Sequence, residues 1–233
     1  MQSTRLPGKV LMTLAGEPML ARVVTRTGRA SSVESVVVAT TTLRADDIIV
    51  DLARQRGWAY FRGSEDDVLD RYYQAAVEAK ADVVVRITSD CPLIDPSVID
   101  IGVRELVVNA PLDYVSNSLP PRTFPRGLDV EVIAFDALSA AWREDVRPEW
   151  REHVTPFIYR HPMRFNVRRL GAATDHSRLR WTVDTAADLA FVRRVYGETG
   201  HDRFSTADVL DLLARNPEWS AINRDVEQRE VPA

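Results

Sequence analysis

Short runs of valine and isoleucine alternate with segments of helical period along this chain, and this alternation constrains its fold more than any single residue does. Such runs are typical of a mostly parallel sheet that helices cover on both faces. We therefore predict one α/β domain over residues 1–233. The predicted strands are Val33–Thr40, Trp58–Phe61, Asp82–Thr88, Tyr114–Ser118, Leu128–Phe135, Phe165–Leu170 and Arg180–Val183.

Helix start and stop signals divide the segments between these strands. Gly57 is placed to end one helix, and Ser64 with Asp67 is placed to begin the next. The predicted helices are Pro18–Arg29, Ala45–Arg56, Asp66–Lys80, Pro96–Asn109, Pro148–Tyr159, Ala186–Tyr196 and Thr206–Ala214.

Composition excludes several classes of protein. The chain mixes 34 acidic with 30 basic residues and has no basic tract, so nucleic acid is not expected as the main partner. No apolar run reaches the roughly 18 residues of a membrane span, and a signal peptide is not recognisable, so we expect a cytoplasmic protein that does not enter a membrane. Cys91 is the only cysteine, which excludes an intrachain disulfide and a cysteine-built metal site.

The segment STRLPGK places Arg5 and Lys9 on either side of a Pro7-Gly8 turn. Glycine lets the backbone approach an anion, and the two cations could neutralise a polyphosphate. The segment matches neither of the common glycine-rich phosphate motifs. On the pattern alone, an ordinary basic turn near a terminus is the favoured interpretation.

Two aspartates follow predicted strands directly. Asp90 comes after VVVRITS, and ligands of open α/β sheets bind where strands end, so Asp90 could hold Mg²⁺ against a nucleotide phosphate. Asp184 follows LRWTV, and the capping pair Thr185 and Asp188 leaves it without a structural task. Asp95, in contrast, is placed to cap the helix that starts at Pro96. Convergence of Asp90 and Asp184 on one cation is the resulting hypothesis.

Eight segments in this order resemble the cytidylyltransferase family, and most closely its SpsF-like spore-coat polysaccharide branch, which is related to the CMP-KDO and CMP-sialic acid synthetases. The resemblance extends from Ser3 to about Val226. The segments are STRLPGKVL, ATTTLRADDIIVDLA, FRGSEDDVLDRYYQAA, VVVRITSDCPLIDP, DYVSN, GLDVEVIAFDAL, REHVTPFI and LRWTVDTAADL.

The resemblance implies a Rossmann-like αβα sandwich of the nucleotide-diphospho-sugar transferase type. It also implies a small β insertion, roughly residues 114–172, that often forms a homodimer contact. The implied reaction joins CTP to an acid sugar, giving CMP-sugar and pyrophosphate with Mg²⁺. By position, the phosphate-binding motif comprises Ser3, Arg5, Gly8 and Lys9, the metal ligands are Asp90 and Asp184, and the sugar-facing residues are Arg126, Glu131 and His153.

The residues also fit the chemistry of this reaction. Because a sugar hydroxyl displaces pyrophosphate in line, positioning and charge neutralisation carry most of the catalysis. Arg5 and Lys9, with Asp90, are therefore the expected catalytic residues, and no dedicated general base is recognisable. A lone histidine on a helix, such as His153, is more often a packing residue than a catalyst.

Three departures from the family pattern are visible. Gln2 stands where relatives have glycine, and Ser89 replaces the glycine before the metal aspartate. Relatives also carry an apolar strand and a triphosphate-binding arginine ahead of the position of Met1. We therefore expect either that the true start lies upstream or that this chain alone is poorly stable and nearly inactive.

Two other functions remain open at this point. A glycosyltransferase of the same fold would generally use an Asp-x-Asp pair, whereas Asp90 is followed by Cys91 and Pro92. A non-catalytic nucleotide-binding subunit is the other alternative, and Gln2 and Ser89 favour it.

Overall fold

The computed structural model describes residues 5–109 and 111–228. Strands and helices alternate along most of this part of the chain. The strands are β1 (Thr13–Leu14), β2 (Glu17–Pro18), β3 (Val37–Thr41), β4 (Ala59–Gly63), β5 (Val83–Arg86), β6 (Tyr114–Ser116), β7 (Glu131–Ala134) and β8 (Val167–Arg169). The α-helices are α1 (Met19–Thr27), α2 (Asp47–Arg56), α3 (Val68–Ala79), α4 (Pro96–Val108), α5 (Phe135–Glu144), α6 (Pro148–His153), α7 (Pro156–Tyr159), α8 (Ala186–Thr199) and α9 (Thr206–Arg215).

The described strands form three sheets, the largest of them mixed, rather than one mostly parallel sheet. β5, β7, β6 and β8 lie side by side in that order, with β7 antiparallel to both neighbours and β8 parallel to β6. β3 and β4 pair in parallel, and β1 and β2 form a small antiparallel hairpin. Within the described residues, no strand ladder joins β3 and β4 to the four-stranded sheet.

Helices cover both faces of the four-stranded sheet. α4 packs on one face, where the apolar side chains of Val130 and Val132 lie against it. α3, α5 and α7 pack on the other face around Tyr114 and Ile133. A further apolar cluster joins α8 and α9 to Trp181 and Val183, the residues that lead to Asp184. The arrangement is the expected αβα sandwich.

Most element types are confirmed, and the boundaries shift by a few residues. The exceptions are informative. Arg180–Val183 is not a strand. In place of a regular ladder it makes an isolated bridge between Arg180 and Arg126, because Gly127 packs closely against its backbone. The predicted helix Pro148–Tyr159 is interrupted at Val154 by a tight turn that separates α6 from α7.

The sequence also left two elements unrecognised. α5 follows β7 without a turn, so the predicted strand Leu128–Phe135 ends where this helix begins. The β1–β2 hairpin is too short to give a periodic signal. α3 begins at Val68 with Asp67 as its N-cap, whereas Ser64 accepts a hydrogen bond from the Asp67 backbone and lies outside the helix.

Candidate active site

The loop Arg5–Leu11 forms one wall of the site. Gly8 has φ 69° and ψ 12°, a left-handed conformation that glycine adopts without steric cost, and a short 3₁₀ turn from Lys9 to Leu11 follows it. This turn directs the Lys9 side chain toward the two aspartates. Gly8 therefore lies in the turn predicted between Arg5 and Lys9. Ser3 lies outside the described residues.

Lys9 joins the two predicted metal ligands. Its Nζ donates to Asp90 Oδ2 and to Asp184 Oδ1, both at 2.9 Å, and to the carbonyl oxygen of Val183 at 2.8 Å. The predicted convergence of Asp90 and Asp184 is therefore present, with an ammonium group between the carboxylates.

Asp184 pairs with three cations of the site. Its Oδ2 lies 2.9 Å from Arg5 Nη2 and 2.8 Å from Arg180 Nη2, while Oδ1 accepts from Lys9. Arg180 is buried and also donates to Asp188, the capping residue of α8. The capping box predicted for Thr185 and Asp188 is thus present, and Asp188 additionally fixes Arg180.

Asp90 is held by the neighbouring Thr88 and by the distant residues Thr182 and Val183. Thr88 Oγ1 donates to Asp90 Oδ1 at 2.6 Å. The Asp90 carbonyl oxygen accepts from the Val183 backbone nitrogen at 2.9 Å and from Thr182 Oγ1 at 3.2 Å. These contacts fix the spacing between the chain segments that carry the two aspartates.

The charges of this cluster stabilise one another. Burial alone would raise the pKa of Asp184, but Lys9 and Arg5 lower it below its ordinary value of 3.8. Burial would lower the pKa of Lys9, and the Asp90 carboxylate raises it above 10.5. Lys9 is therefore cationic and Asp184 anionic at neutral pH.

A second polar cluster surrounds Glu131, which is buried at the start of β7. Its carboxylate accepts from Tyr114 Oη at 2.6 Å, from Thr155 Oγ1 at 2.5 Å and from Arg86 Nη1. Arg86 ends β5, four residues before Asp90. Tyr72 lies within electrostatic range of both Asp90 and the Arg86–Glu131 pair, so the two clusters flank the same tyrosine.

His153 reaches this second cluster through an unusual backbone turn. Val154 has φ 71° and ψ −52°, and the Thr155 nitrogen donates to the His153 carbonyl at 2.9 Å, which defines a γ-turn of the rare, strained type. Burial and the nearby Arg86 lower the pKa of His153, although Glu152 and Glu131 oppose the shift. The structure therefore places His153 within electrostatic range of Arg86 and Glu131.

Arg126 lies apart from them. Its backbone pairs with Leu179 and Trp181, beside Arg180 and the first cluster. Gly127, which follows it, has φ 98°, and a Cβ there would lie 2.4 Å from the Thr182 nitrogen. Only glycine fits where these two segments meet.

Sequence reasoning missed three residues of the site. Arg86 and Arg180 each lie inside an otherwise apolar run, VVVRIT and LRWTV respectively. A charged residue in such a run is a sequence signal that could have identified both. Thr155 gives no such signal. Among residues 5–109 and 111–228, no three histidine, cysteine, aspartate or glutamate side chains group as a metal cage, and no helix is long and apolar enough to cross a bilayer.

The protein has the nucleotide-diphospho-sugar transferase fold, as its structural neighbours show. A solved cytidylyltransferase from Leptospira borgpetersenii superposes with a TM-score of 0.89 at 30% identity, covering 99% of this chain and 95% of that chain. A solved CMP:2-keto-3-deoxy-manno-octonic acid synthetase in complex with CTP has a TM-score of 0.65 at 20% identity, with 84% and 95% coverage, and is similar in fold.

The sequence comparisons are specific. The profile of the family described as cytidylyltransferase matches residues 1–209. The spore coat polysaccharide biosynthesis protein SpsF of Bacillus subtilis is 31% identical over 226 residues, which cover 94% of this chain and 92% of that protein. An uncharacterized protein of Methanocaldococcus jannaschii is 37% identical over 229 residues, with 97% and 92% coverage. The chain therefore belongs to the cytidylyltransferase family of nucleotidyltransferases.

Proposed function

We propose that the protein transfers the cytidylyl group of CTP to an acid sugar, giving CMP-sugar and pyrophosphate, in the synthesis of a surface polysaccharide. The observation that carries the proposal is the convergence of Asp90 and Asp184 on Lys9, with Arg5 beside them. Family membership supports cytidylyl transfer. The acid sugar is supported by partial relatives such as the 3-deoxy-manno-octulosonate cytidylyltransferase of Geobacter sulfurreducens, which is 39% identical over 46% of this chain and 42% of that protein.

The donor set of the first cluster fits Mg²⁺. Two carboxylate oxygens from separate chain segments lie 2.9 Å from one cationic nitrogen, so they already favour positive charge at a common point. Hard oxygen ligands suit Mg²⁺, which usually takes only one or two carboxylates and completes its shell with water and phosphate oxygens. Asp90 and Asp184 would hold the ion, which would neutralise charge on the phosphates of CTP.

Side chains of the protein would stabilise the leaving group and orient the metal ligands. The sugar hydroxyl oxygen bonds to the α-phosphorus as the bond to the pyrophosphate oxygen breaks, so negative charge grows on the leaving group. Arg5 and Lys9 are the cations beside this point, and they would stabilise that charge. Arg180 holds Asp184 from the buried side and keeps the carboxylate oriented.

A binding and turnover experiment tests the proposal. CTP with Mg²⁺ at about 100 times its Kd adds roughly 2.7 kcal/mol of stability, measurable as a thermal shift. Asp90→Ala should abolish this shift, whereas Asp51→Ala, which alters an exposed carboxylate on α2, should retain it. Pyrophosphate release from CTP with a panel of octulosonic and nonulosonic acids then measures turnover.

Three results would contradict the proposal. A full thermal shift in Asp90→Ala would refute the metal assignment. Absence of pyrophosphate release together with hydrolysis of a UDP- or GDP-sugar would favour a glycosyltransferase. Binding of CTP without turnover of any acid sugar would favour a non-catalytic nucleotide-binding subunit.

A further inference from the structure

A charged pair follows apolar pairs on one face of the central sheet. Strand register places Arg86 of β5 directly beside Glu131 of β7, and Glu131 beside Ser116 of β6. The preceding pairs on this face, such as Val84 beside Ile133, are apolar and lie in the cluster under α3 and α5. Charged side chains at such positions cost stability unless they are fully paired.

Glu131 is fully paired, but Arg86 is not. Three donors reach the Glu131 carboxylate, from Tyr114, Thr155 and Arg86 Nη1. The Arg86 side chain is only 16% exposed, and its Nε is buried without a partner in the described parts of the chain. A buried donor without a partner carries a desolvation cost that a ligand oxygen would remove.

The geometry of the guanidinium indicates which ligand fits. Glu131 occupies Nη1, which leaves the edge formed by Nε and Nη2. This edge presents two parallel N–H groups and matches the two oxygens of a carboxylate. Glu131 therefore fixes Arg86 in place without using the edge that binds carboxylates best.

The position of Arg86 connects this edge with the first cluster. Its Cζ lies 5.7 Å from the centroid of the Tyr72 ring, and Tyr72 is in electrostatic range of Asp90. The cations of the first cluster, Arg5, Lys9 and Arg180, are already paired with aspartates. A carboxylate on the second substrate would meet Arg86 beside the Tyr72 ring.

We infer that Arg86 determines specificity for the second substrate by binding the carboxylate of an acid sugar through its Nε–Nη2 edge. The inference rests on the proposed function and names the residue that would distinguish an acid sugar from a neutral one. Arg71 is the competing residue, because it lies near Arg86 and its Nε is also buried without a partner in the described chain. Arg71 Nη1, however, donates to the Ser64 carbonyl rather than to a carboxylate that would fix it.

The test measures selectivity rather than activity alone. The reactive acid sugar of the panel, for example 3-deoxy-manno-octulosonate, is compared with its uncharged carboxamide in CTP-dependent pyrophosphate release. The wild-type ratio of kcat/KM should favour the acid by about 100-fold, since the carboxamide loses charge-assisted bonds. In the double variant Arg86→Gln with Glu131→Gln, which leaves no buried charge unpaired, the ratio should fall to within about threefold of one.

Two further variants keep the test sharp. Arg86→Lys retains the charge beside Glu131 but lacks the Nε–Nη2 edge, so the ratio of kcat/KM should fall by about tenfold. This variant provides the test if the double variant does not fold. Arg71→Gln should leave the ratio unchanged. The affinity of every variant for CTP with Mg²⁺, measured from the thermal shift, should stay within about twofold of wild type, because Arg86 does not touch the first cluster.

The outcomes separate the two proposals. Pyrophosphate release by the wild type without preference for the acid overturns this inference and leaves the proposed function standing. So does a preference that keeps its wild-type size in Arg86→Lys or that disappears in Arg71→Gln. If the wild type binds CTP but releases no pyrophosphate with any acid sugar, the proposed function fails, and this inference fails with it.

Discussion

Lys9 Nζ lies 2.9 Å from Asp184 Oδ1, although 175 positions separate the two residues in the sequence. The same nitrogen lies 2.9 Å from Asp90 Oδ2. One ammonium group thus compensates two carboxylates that would otherwise repel each other. The arrangement links the N-terminal loop to the ends of two distant segments, and it makes Lys9 a structural residue as well as a candidate catalytic one.

Lys9→Met should therefore change both stability and metal binding. Without Mg²⁺ we expect the free energy of unfolding to fall by about 1–2 kcal/mol, because Asp90 loses its cation while Asp184 keeps Arg5 and Arg180. Added Mg²⁺ should stabilise Lys9→Met more than it stabilises the wild type. Urea unfolding with and without Mg²⁺ measures both effects.

The matched control is Arg54→Met, which removes an exposed cation paired with Asp51 on α2. It should change the free energy of unfolding by less than about 0.5 kcal/mol and should not alter the response to Mg²⁺. An equal Mg²⁺ response in wild type and Lys9→Met would show that the two carboxylates do not form a cation site.

Gly127→Ala should disturb both stability and the site. A Cβ would lie 2.4 Å from the Thr182 nitrogen and 2.5 Å from the Trp181 carbonyl carbon, and these are backbone atoms that cannot rotate away. We expect a loss of more than about 3 kcal/mol in the free energy of unfolding. Because Thr182 and Val183 bind the Asp90 backbone, nucleotide affinity should fall as well.

Gly197→Ala is the matched control for this substitution. Gly197 lies in α8 with open space around the position of a Cβ. Alanine should therefore stabilise the protein by about 0.5–1 kcal/mol. Chemical denaturation and CTP titration of both variants give the comparison, and wild-type stability in Gly127→Ala would contradict the close packing of Gly127 against Trp181 and Thr182.

Asp95→Asn should lower stability in a pH-dependent way. The buried Asp95 carboxylate accepts from the Ser97 backbone at the start of α4 and from the Thr206 backbone and hydroxyl at the start of α9. An amide cannot accept from both sides, so we expect a loss of about 2 kcal/mol at pH 7.

The pH dependence follows from the direction of the shift. Burial raises the pKa of Asp95, but the hydrogen bonds from Thr206 and Ser97 lower it below 3.8. Its stabilising contribution is therefore complete above the unfolded value of about 3.8 and is lost as the pH falls through the lower folded value. The difference between wild type and Asp95→Asn in urea unfolding should shrink below pH 4. A difference that is constant from pH 7 to pH 3 would rule out the ionised cap.

Lys80→Gly should stabilise the protein. Lys80 ends α3 with φ 53° and ψ 42°, is exposed, and makes only the backbone bonds of a helix C-terminus. Glycine relieves the left-handed strain, and we expect a gain of about 0.5–1 kcal/mol. Gly57→Ala at the end of α2, where φ is 69°, should lose about 1 kcal/mol by the same reasoning. Thermal unfolding of the two variants should move in opposite directions, and movement in the same direction would contradict the strain argument.

Local signals account for most of what could be predicted. Valine-rich runs identified β3 and β5, and the capping residues Gly57, Asp95 and Asp188 act where the sequence placed them. These features depend on bonds between residues a few positions apart. Resemblance to a family supplied the roles of Arg5, Lys9 and the two aspartates, and the structure brings these side chains together.

The sequence by itself determined the α/β class, the caps and the motif residues, because each depends on local backbone preference or on a short pattern. Only the tertiary structure decided that Arg180–Val183 packs against Gly127 instead of forming a strand, that a γ-turn at Val154 divides a predicted helix, and that Arg86 pairs with Glu131. The first and third of these outcomes arise from contacts between segments far apart in the chain, and the γ-turn ends at Thr155, which donates to the distant Glu131. Their energies depend on three-dimensional packing, which no periodicity in the sequence records.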